Sequence, residues 1–453
     1  MSGGSVLSKE ETYINDLIDF LSIPSISTDA AYEAEVRKGA EWLASDLRNS
    51  RMENVEIMET DGHPVVYADW LHQPDKPVFL VYGHYDVQPA DSVELWTSAP
   101  FHPEIRDGKL FARGATDDKG QVLIHVKAIA SLMEEDGELP VNIKLCLEGE
   151  EEIASPSLVP FVKEHRDKLA CDAVLISDTP MIDEETPAIV TGLRGALAFE
   201  MEVSTAATDL HSGAYGGAVP NAAHHLVKVL DSFHDESGRV NVEGFYEGVP
   251  EVTDELREEM ARIPFHEEAL KGELGLTSLY GEEGYTPLEQ IGLRPTLEFN
   301  GITSGYQGAG VKTVIPKVAT AKVSCRLTGE QDPSHVFEKI REHVEATAPA
   351  GASVTLDKQI EAKAVTVDAG NEYIQKAGKA YEQFYKNRTL YPKEGGSIPI
   401  VEVFRNELGA EPVLMGFGLQ SENMHAPDEH FHLSNFKRGI QTVKAYYKSF
   451  QED

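Results

Sequence analysis

Cysteine is scarce in this chain, and the three present, Cys146, Cys171 and Cys325, are odd in number and far apart. Two of them fall in strand-like runs, which argues against a disulfide framework. No window approaches the ~20 apolar residues of a membrane-spanning helix. Met1-Ser2-Gly3-Gly4-Ser5 is not a basic stretch leading into an apolar core, so no secretory signal is expected. There is no internal repeat and no low-complexity tract. Positive charge is short as well: 40 lysines and arginines face 76 aspartates and glutamates, a formal net charge of −36. A field of that sign repels phosphate backbones and anionic membranes, so neither nucleic acid nor membrane is expected as a partner. It suits solubility in a salty or crowded cytoplasm, or attraction of cations, and a high-salt habitat would account for it. The expected location is the cytoplasm.

What is present is enough chain for two domains, 453 residues with 41% hydrophobic content. Up to about residue 194 helical and strand patterns alternate, the mark of an α/β layered domain. Ile14, Leu17, Ile18 and Leu21 follow helical spacing, as do Val36, Ala40, Leu43 and Leu47, then Val122, Val126, Ile129 and Met133. Between 195 and 361 the character changes. Leu197, Phe199, Met201 and Val203 alternate with polar or small residues, as do Ala321, Val323, Cys325 and Leu327. One apolar and one polar face predict an antiparallel sheet in a separate α+β domain. From 362 to 453 buried-type patterns return, so the second domain is read as an insertion into the first.

The chemistry-bearing residues stand where apolar runs end. Val78–Gly83 leads into His84-Tyr85-Asp86, Asn142–Leu147 into Glu148-Gly149-Glu150-Glu151-Glu152, and Ala173–Ser177 into Asp178. The carboxyl ends of strands are where open α/β sheets bind ligands. Asp117 lies in Arg113–Gly120, at or near the start of a helix, and His425 in a polar loop after the last strand. Each has a plainer reading: a turn with a surface histidine, a helix N-cap, a solvated acidic loop. His430 and His432 are read as surface residues. Together, imidazoles and carboxylates propose two ions sharing one carboxylate. This donor set favours Zn²⁺, Mn²⁺ or Co²⁺ over Ca²⁺. Two such ions can hold a bridging hydroxide and polarise a carbonyl, while a free carboxylate moves the proton.

These segments resemble the M20 metallopeptidase family, in the dipeptidase branch that includes carnosinase and cytosolic nonspecific dipeptidase. Further matches are His211-Ser212-Gly213, Lys312–Pro316, Gly395–Pro399 and His425-Ala426-Pro427, over nearly the whole chain. The resemblance implies an α/β catalytic domain with a mixed, largely parallel sheet (1–194 and 362–453) and an inserted α+β lid and dimerisation domain (195–361). It implies His84 and Asp178 on one metal, Glu152 and His425 on the other, and Asp117 bridging. The metals would be two divalent ions, Zn²⁺ first, with Mn²⁺ and Co²⁺ as alternatives. Glu151 matches the general base and Asp86 the residue orienting His84. His211 would reach into the partner subunit's site of a homodimer and stabilise the oxyanion. Arg326 and Ser397 match positions that bind the substrate's terminal carboxylate, and Thr313 lines the same pocket. The implied reaction is hydrolysis of dipeptides with a free C-terminal carboxylate by a metal-bridging hydroxide. An N-acyl-amino-acid deacylase of the same family and a catalytically silent peptide or amino-acid binder are the alternatives. Ala154 departs from the glycine that the family often carries there. The run Glu150-Glu151-Glu152 leaves a one-residue register choice for the base, and Ser155 favours Glu151.

Overall fold

Val78–His84 and Asn142–Glu148 are short apolar runs, and both form strands buried almost throughout. They are central in a six-stranded sheet of order Glu53–Met58, Val65–Trp70, Asn142–Glu148, Val78–His84, Ala173–Ile176, Glu411–Leu414. The last four run parallel, and the first two are antiparallel additions at one edge. This is the mixed, largely parallel sheet expected from the sequence. Parallel register places His84 opposite Glu148 and Tyr82 opposite Ile176, so three strand ends open on the same side. The computed structural model describes residues 8–90, 92–396 and 398–451.

The chain divides into two units: Met1–Thr191 with Val367–Pro392 and Ile400–Asp453, and Gly192–Thr366 with Lys393–Pro399. In the first, the helix Lys119–Glu135 is buried from Lys119 to Met133. Even Lys119 is inside, its ammonium donating to the carbonyls of Phe20 (3.2 Å) and Ile23 (2.7 Å). Those bonds offset part of the cost of burying a cation. Asp118, not Asp117, occupies the N-cap, and its side chain makes no capping bond. That leaves the Asp117 carboxylate available elsewhere.

The second unit is built on an antiparallel sheet of order Thr296–Ser304, Val318–Leu327, Gly195–Ser204, Ser353–Ala362. Inward residues alternate as the period of two requires. Leu197, Phe199, Met201, Val323 and Cys325 share a buried core with Leu226, Val229 and Leu230 of helix Ala222–Asp231 and Val336, Ile340 and Val344 of helix Pro333–Thr347. A smaller sheet joins Val365–Thr366, Gly192–Leu193 and Lys393–Glu394. The weakly periodic stretch after 235 holds three short helices, Asp254–Met260, Glu267–Leu274 and Pro287–Leu293. Among the described residues no helix is long and apolar enough to cross a membrane.

Candidate metal centre

Seven of the residues singled out above lie in the first unit, and the fold brings them together. Asp117 faces two imidazoles: its Oδ1 is 3.1 Å from His84 Nε2 and its Oδ2 is 2.7 Å from His425 Nε2. His84 Nε2 is also 4.0 Å from Asp178 Oδ2, and His425 Nε2 is 3.3 Å from Glu152 Oε2. Two donor groups result, His84 with Asp117 and Glu152, and His84 with Glu151 and Asp178. Strand ends supply His84, the Glu148–Glu152 turn and Asp178, while loops supply Asp117 and His425. His425 reaches in from a backbone with φ of 58°.

Asp86 explains why these parts hold their places. His84 Nδ1 lies 3.1 Å from the Asp86 carbonyl oxygen and 3.3 Å from its carboxylate. With a cation in place of the Nε2 proton, His84 would still donate from Nδ1 to Asp86 and turn its Nε2 lone pair to the ion. The Asp86 carboxylate accepts the N–H of Glu151 (3.3 Å), the N–H of Glu152 (3.1 Å) and the Ser27 hydroxyl (2.6 Å). Gln88 steadies Glu152, donating to its Oε2 at 2.7 Å.

The electrostatics of the residues alone are those of a site short of positive charge. Burial pushes Asp178 well above the carboxylate range, and Asp117 and Asp118 add to the rise. Glu151 is pushed up to about 8, first by burial, with Asp178, Glu152 and Asp117 adding and His84 opposing. Against its own burial, Asp117 is held below the usual range by hydrogen bonds from His425 and His84. Hydrogen bonds to Asp117 and then Glu152 lift His425 to about 10. Among the described residues no lysine or arginine pairs with Asp117, Glu151, Glu152 or Asp178, and the buried Glu152 Oε1 has no hydrogen-bond partner. Carboxylate oxygens and two imidazoles suit borderline divalent cations, and a cation would relieve both the repulsion and the orphaned oxygen.

Contacts set Glu150 and Glu151 apart. Glu150 faces away, its Oε1 accepting His63 N–H (2.8 Å) and its Oε2 Ser157 N–H (3.0 Å). Glu151 lies with His84 and Asp178. His430 and His432, read from sequence as surface residues, are 5% and 7% exposed. His432 Nδ1 sits 2.6 Å from Glu422, whose burial could not be inferred from a polar loop. Glu422 and Glu429 were missed for the same reason.

The other candidates lie in the second unit. Exposed His211 caps a short turn, its Nδ1 accepting Gly213 N–H at 3.0 Å. The Thr313 carbonyl accepts Ser212 N–H at 3.1 Å, which ties Thr313 to the same corner. Arg326 lines a cavity of about 640 Å³ with Arg194, Ser324 and Glu298. Burial, and then Arg326 itself, lowers the Arg194 guanidinium to about 10. Ser397 lies outside the described residues.

Residues 80–449 match the family described as Peptidase family M20/M25/M40. The chain belongs to that family. The family match and its dipeptidase relatives make it a metallopeptidase. Among curated relatives it is 30% identical to the Cys-Gly metallodipeptidase dug1 of Schizosaccharomyces pombe, over 97% of this chain and 95% of that one. It is 30% identical to the Beta-Ala-His dipeptidase of Homo sapiens, covering 85% of this chain and 77% of that one. Among solved structures it is similar to the M20 family metallo-carboxypeptidase Sso-CP2 from Sulfolobus solfataricus. The TM-score is 0.85 at 31% identity, over 97% and 99% of the two chains.

Proposed function

We propose that this M20 peptidase hydrolyses dipeptides bearing a free C-terminal carboxylate and works with two divalent ions. The observation that carries the reading is Asp117, one oxygen against His84 and the other against His425. His84 and Asp178 would hold one ion and Glu152 and His425 the other, with Asp117 shared; Zn²⁺ is the first choice, then Mn²⁺ and Co²⁺. When bound, such ions supply Lewis-acid polarisation of the scissile carbonyl and acidify the attacking water. Glu151 accepts the proton released as water adds to the carbonyl carbon, then delivers it to the leaving amine nitrogen. Asp86 holds His84 in the required tautomer and fixes the turn that carries Glu151. Arg326 and Ser397 receive the substrate's terminal carboxylate, a bidentate task suited to a guanidinium, and Thr313 lines the same pocket. His211 belongs to a homodimer in which it serves the partner subunit's site and steadies the oxyanion.

Relatives named for Cys-Gly and β-Ala-His hydrolysis support the dipeptide reading. Likeness to a metallo-carboxypeptidase favours a second one, release of the C-terminal residue from longer peptides. The deciding experiment strips the protein of metal, restores Zn²⁺, Mn²⁺ or Co²⁺, and compares dipeptides, tripeptides and acetylated amino acids. Dipeptides should be cleaved fastest. Faster tripeptide cleavage would establish the carboxypeptidase reading, faster deacetylation a deacylase, and no turnover with any ion a silent binder.

A further inference from the structure

We infer that Glu429 is a positioning residue that sets the Asp117 carboxylate in place through the loop around it. The inference rests on the reading that Asp117 is shared by two ions. Glu429 is fully buried and spends both oxygens on one loop. Its Oε2 accepts Arg113 Nη1 at 2.7 Å and Gly114 N–H at 3.0 Å; its Oε1 accepts Thr116 N–H at 3.0 Å and Asp117 N–H at 3.2 Å. The Glu429 carbonyl takes Ala112 N–H at 3.0 Å as well. The loop from Ala112 to Asp117 is thereby folded around a single side chain. Arg113 supplies the opposite charge that makes burial of the carboxylate tolerable, and charge-assisted bonds of this kind are the strong ones.

The same segment is tied a second time. Glu422 Oε2 accepts the Thr116 hydroxyl and Leu419 N–H, each at 2.7 Å, and its Oε1 accepts His432 N–H at 2.9 Å. Glu422 and Glu429 stand on either side of His425 in the chain. The loop that carries His425 is therefore pinned at both ends, each time to the loop that carries Asp117. Two ligands far apart in sequence meet at 2.7 Å because two buried carboxylates lock their loops together. Glutamine at 429 cannot reproduce this. One of its two atoms would be an amide nitrogen facing donors, so either Arg113 and Gly114 or Thr116 and Asp117 would lose their acceptor.

The test is a Co²⁺ titration of the full metal-stripped chain followed by visible absorption, which reports coordination geometry as well as affinity. Glu429→Gln should bind Co²⁺ ~10–100-fold more weakly, the usual cost of losing a partner behind a metal ligand, with shifted absorption bands. As a control, Asp46→Asn breaks the Lys127–Asp46 pair (2.7 Å) elsewhere in the same unit. It should lower the melting temperature and leave the Co²⁺ affinity and spectrum as in the parent. If Glu429→Gln does not fold, Arg113→Lys, which keeps the charge and loses the planar fork, should show the same spectral shift to a smaller degree. A folded variant of either kind with parental affinity and spectrum overturns the inference. A parent chain that binds no Co²⁺ overturns the metal reading, and this inference with it.

Discussion

The Asp86 carboxylate accepts the backbone N–H of Glu151 at 3.3 Å, while the Asp86 carbonyl oxygen lies 3.1 Å from His84 Nδ1. One residue thus couples the orientation of an imidazole to the position of the carboxylate beside it. Asp86→Ala leaves the backbone carbonyl facing Nδ1 but removes the carboxylate, which lies 3.3 Å from Nδ1 and holds the Glu151 and Glu152 N–H groups, so both the ring and the turn lose a restraint. Metal affinity should fall ~10–100-fold and turnover should fall with it. Equilibrium dialysis against Zn²⁺ and a dipeptide assay check this, and parental values for both would remove Asp86 from its assigned place.

Glu151→Gln keeps size and shape and deletes the proton acceptor. Both ions should remain, with kcat lowered by ~10²–10⁴-fold, the range for losing a general base. Metal content by elemental analysis and a progress curve on one dipeptide suffice. Near-parental turnover would assign the proton transfer to another group.

Arg326 lines its cavity on the polar face of the strand Val318–Leu327. With Arg326→Ala, KM for a free-acid dipeptide should rise by ~10–100-fold, corresponding to ~1.5–3 kcal/mol for a lost charged hydrogen bond. KM for the matching dipeptide amide should barely move. An unchanged preference for acid over amide contradicts the role.

Ala154 has φ of 68°, and Ser155 after it 50°. A Cβ in the left-handed region costs ~1–2 kcal/mol, and glycine gives back part of that gain through its freer unfolded chain. Ala154→Gly should therefore stabilise the fold by ~0.5–1 kcal/mol, read as a raised urea midpoint at unchanged slope. A lowered midpoint would mean that the methyl group is held by favourable packing.

The Lys444 ammonium donates to both oxygens of Glu135 at 2.8 Å. That bond holds the Glu135 carboxyl down at about 2, against an ordinary 4.5. A depressed folded pKa means stability that is present above 4.5 and lost as pH falls from there toward 2. The carboxylate is largely exposed, so the contribution is small. Lys444→Met should be less stable than the parent near pH 6, and the gap should close between pH ~4.5 and ~2. A gap that stays constant down to pH ~2 would place the effect in packing.

Much of the candidate cluster was legible because its residues obey a rule of parallel sheets. His84, Glu151, Glu152 and Asp178 follow apolar runs, and parallel register turns such positions into neighbours. Asp117 and His425 were legible through the family resemblance, since loops carry no periodicity. In the sequence only Ser155 favours Glu151 over Glu150; in the fold His63 and Ser157 draw Glu150 aside. His430, His432, Glu422 and Glu429 look like a solvated acidic loop in one dimension. Their polar atoms are satisfied inside the fold, His432 by Glu422, His430 by the Asp428 carbonyl and Lys109, and Glu429 by Arg113 and the loop around it, pairings that no spacing encodes.

The small sheet of Val365–Thr366, Gly192–Leu193 and Lys393–Glu394 takes its strands from three separate passes of the chain. A recombinant fragment ending at Thr366 would lack one of those strands, and with it the Gly395 carbonyl that accepts from Arg194 at 3.1 Å. Expression of the inserted unit alone therefore calls for a linker that splices 393–399 back on. Comparing the solubility of spliced and unspliced fragments would show how far that short returning segment completes the unit.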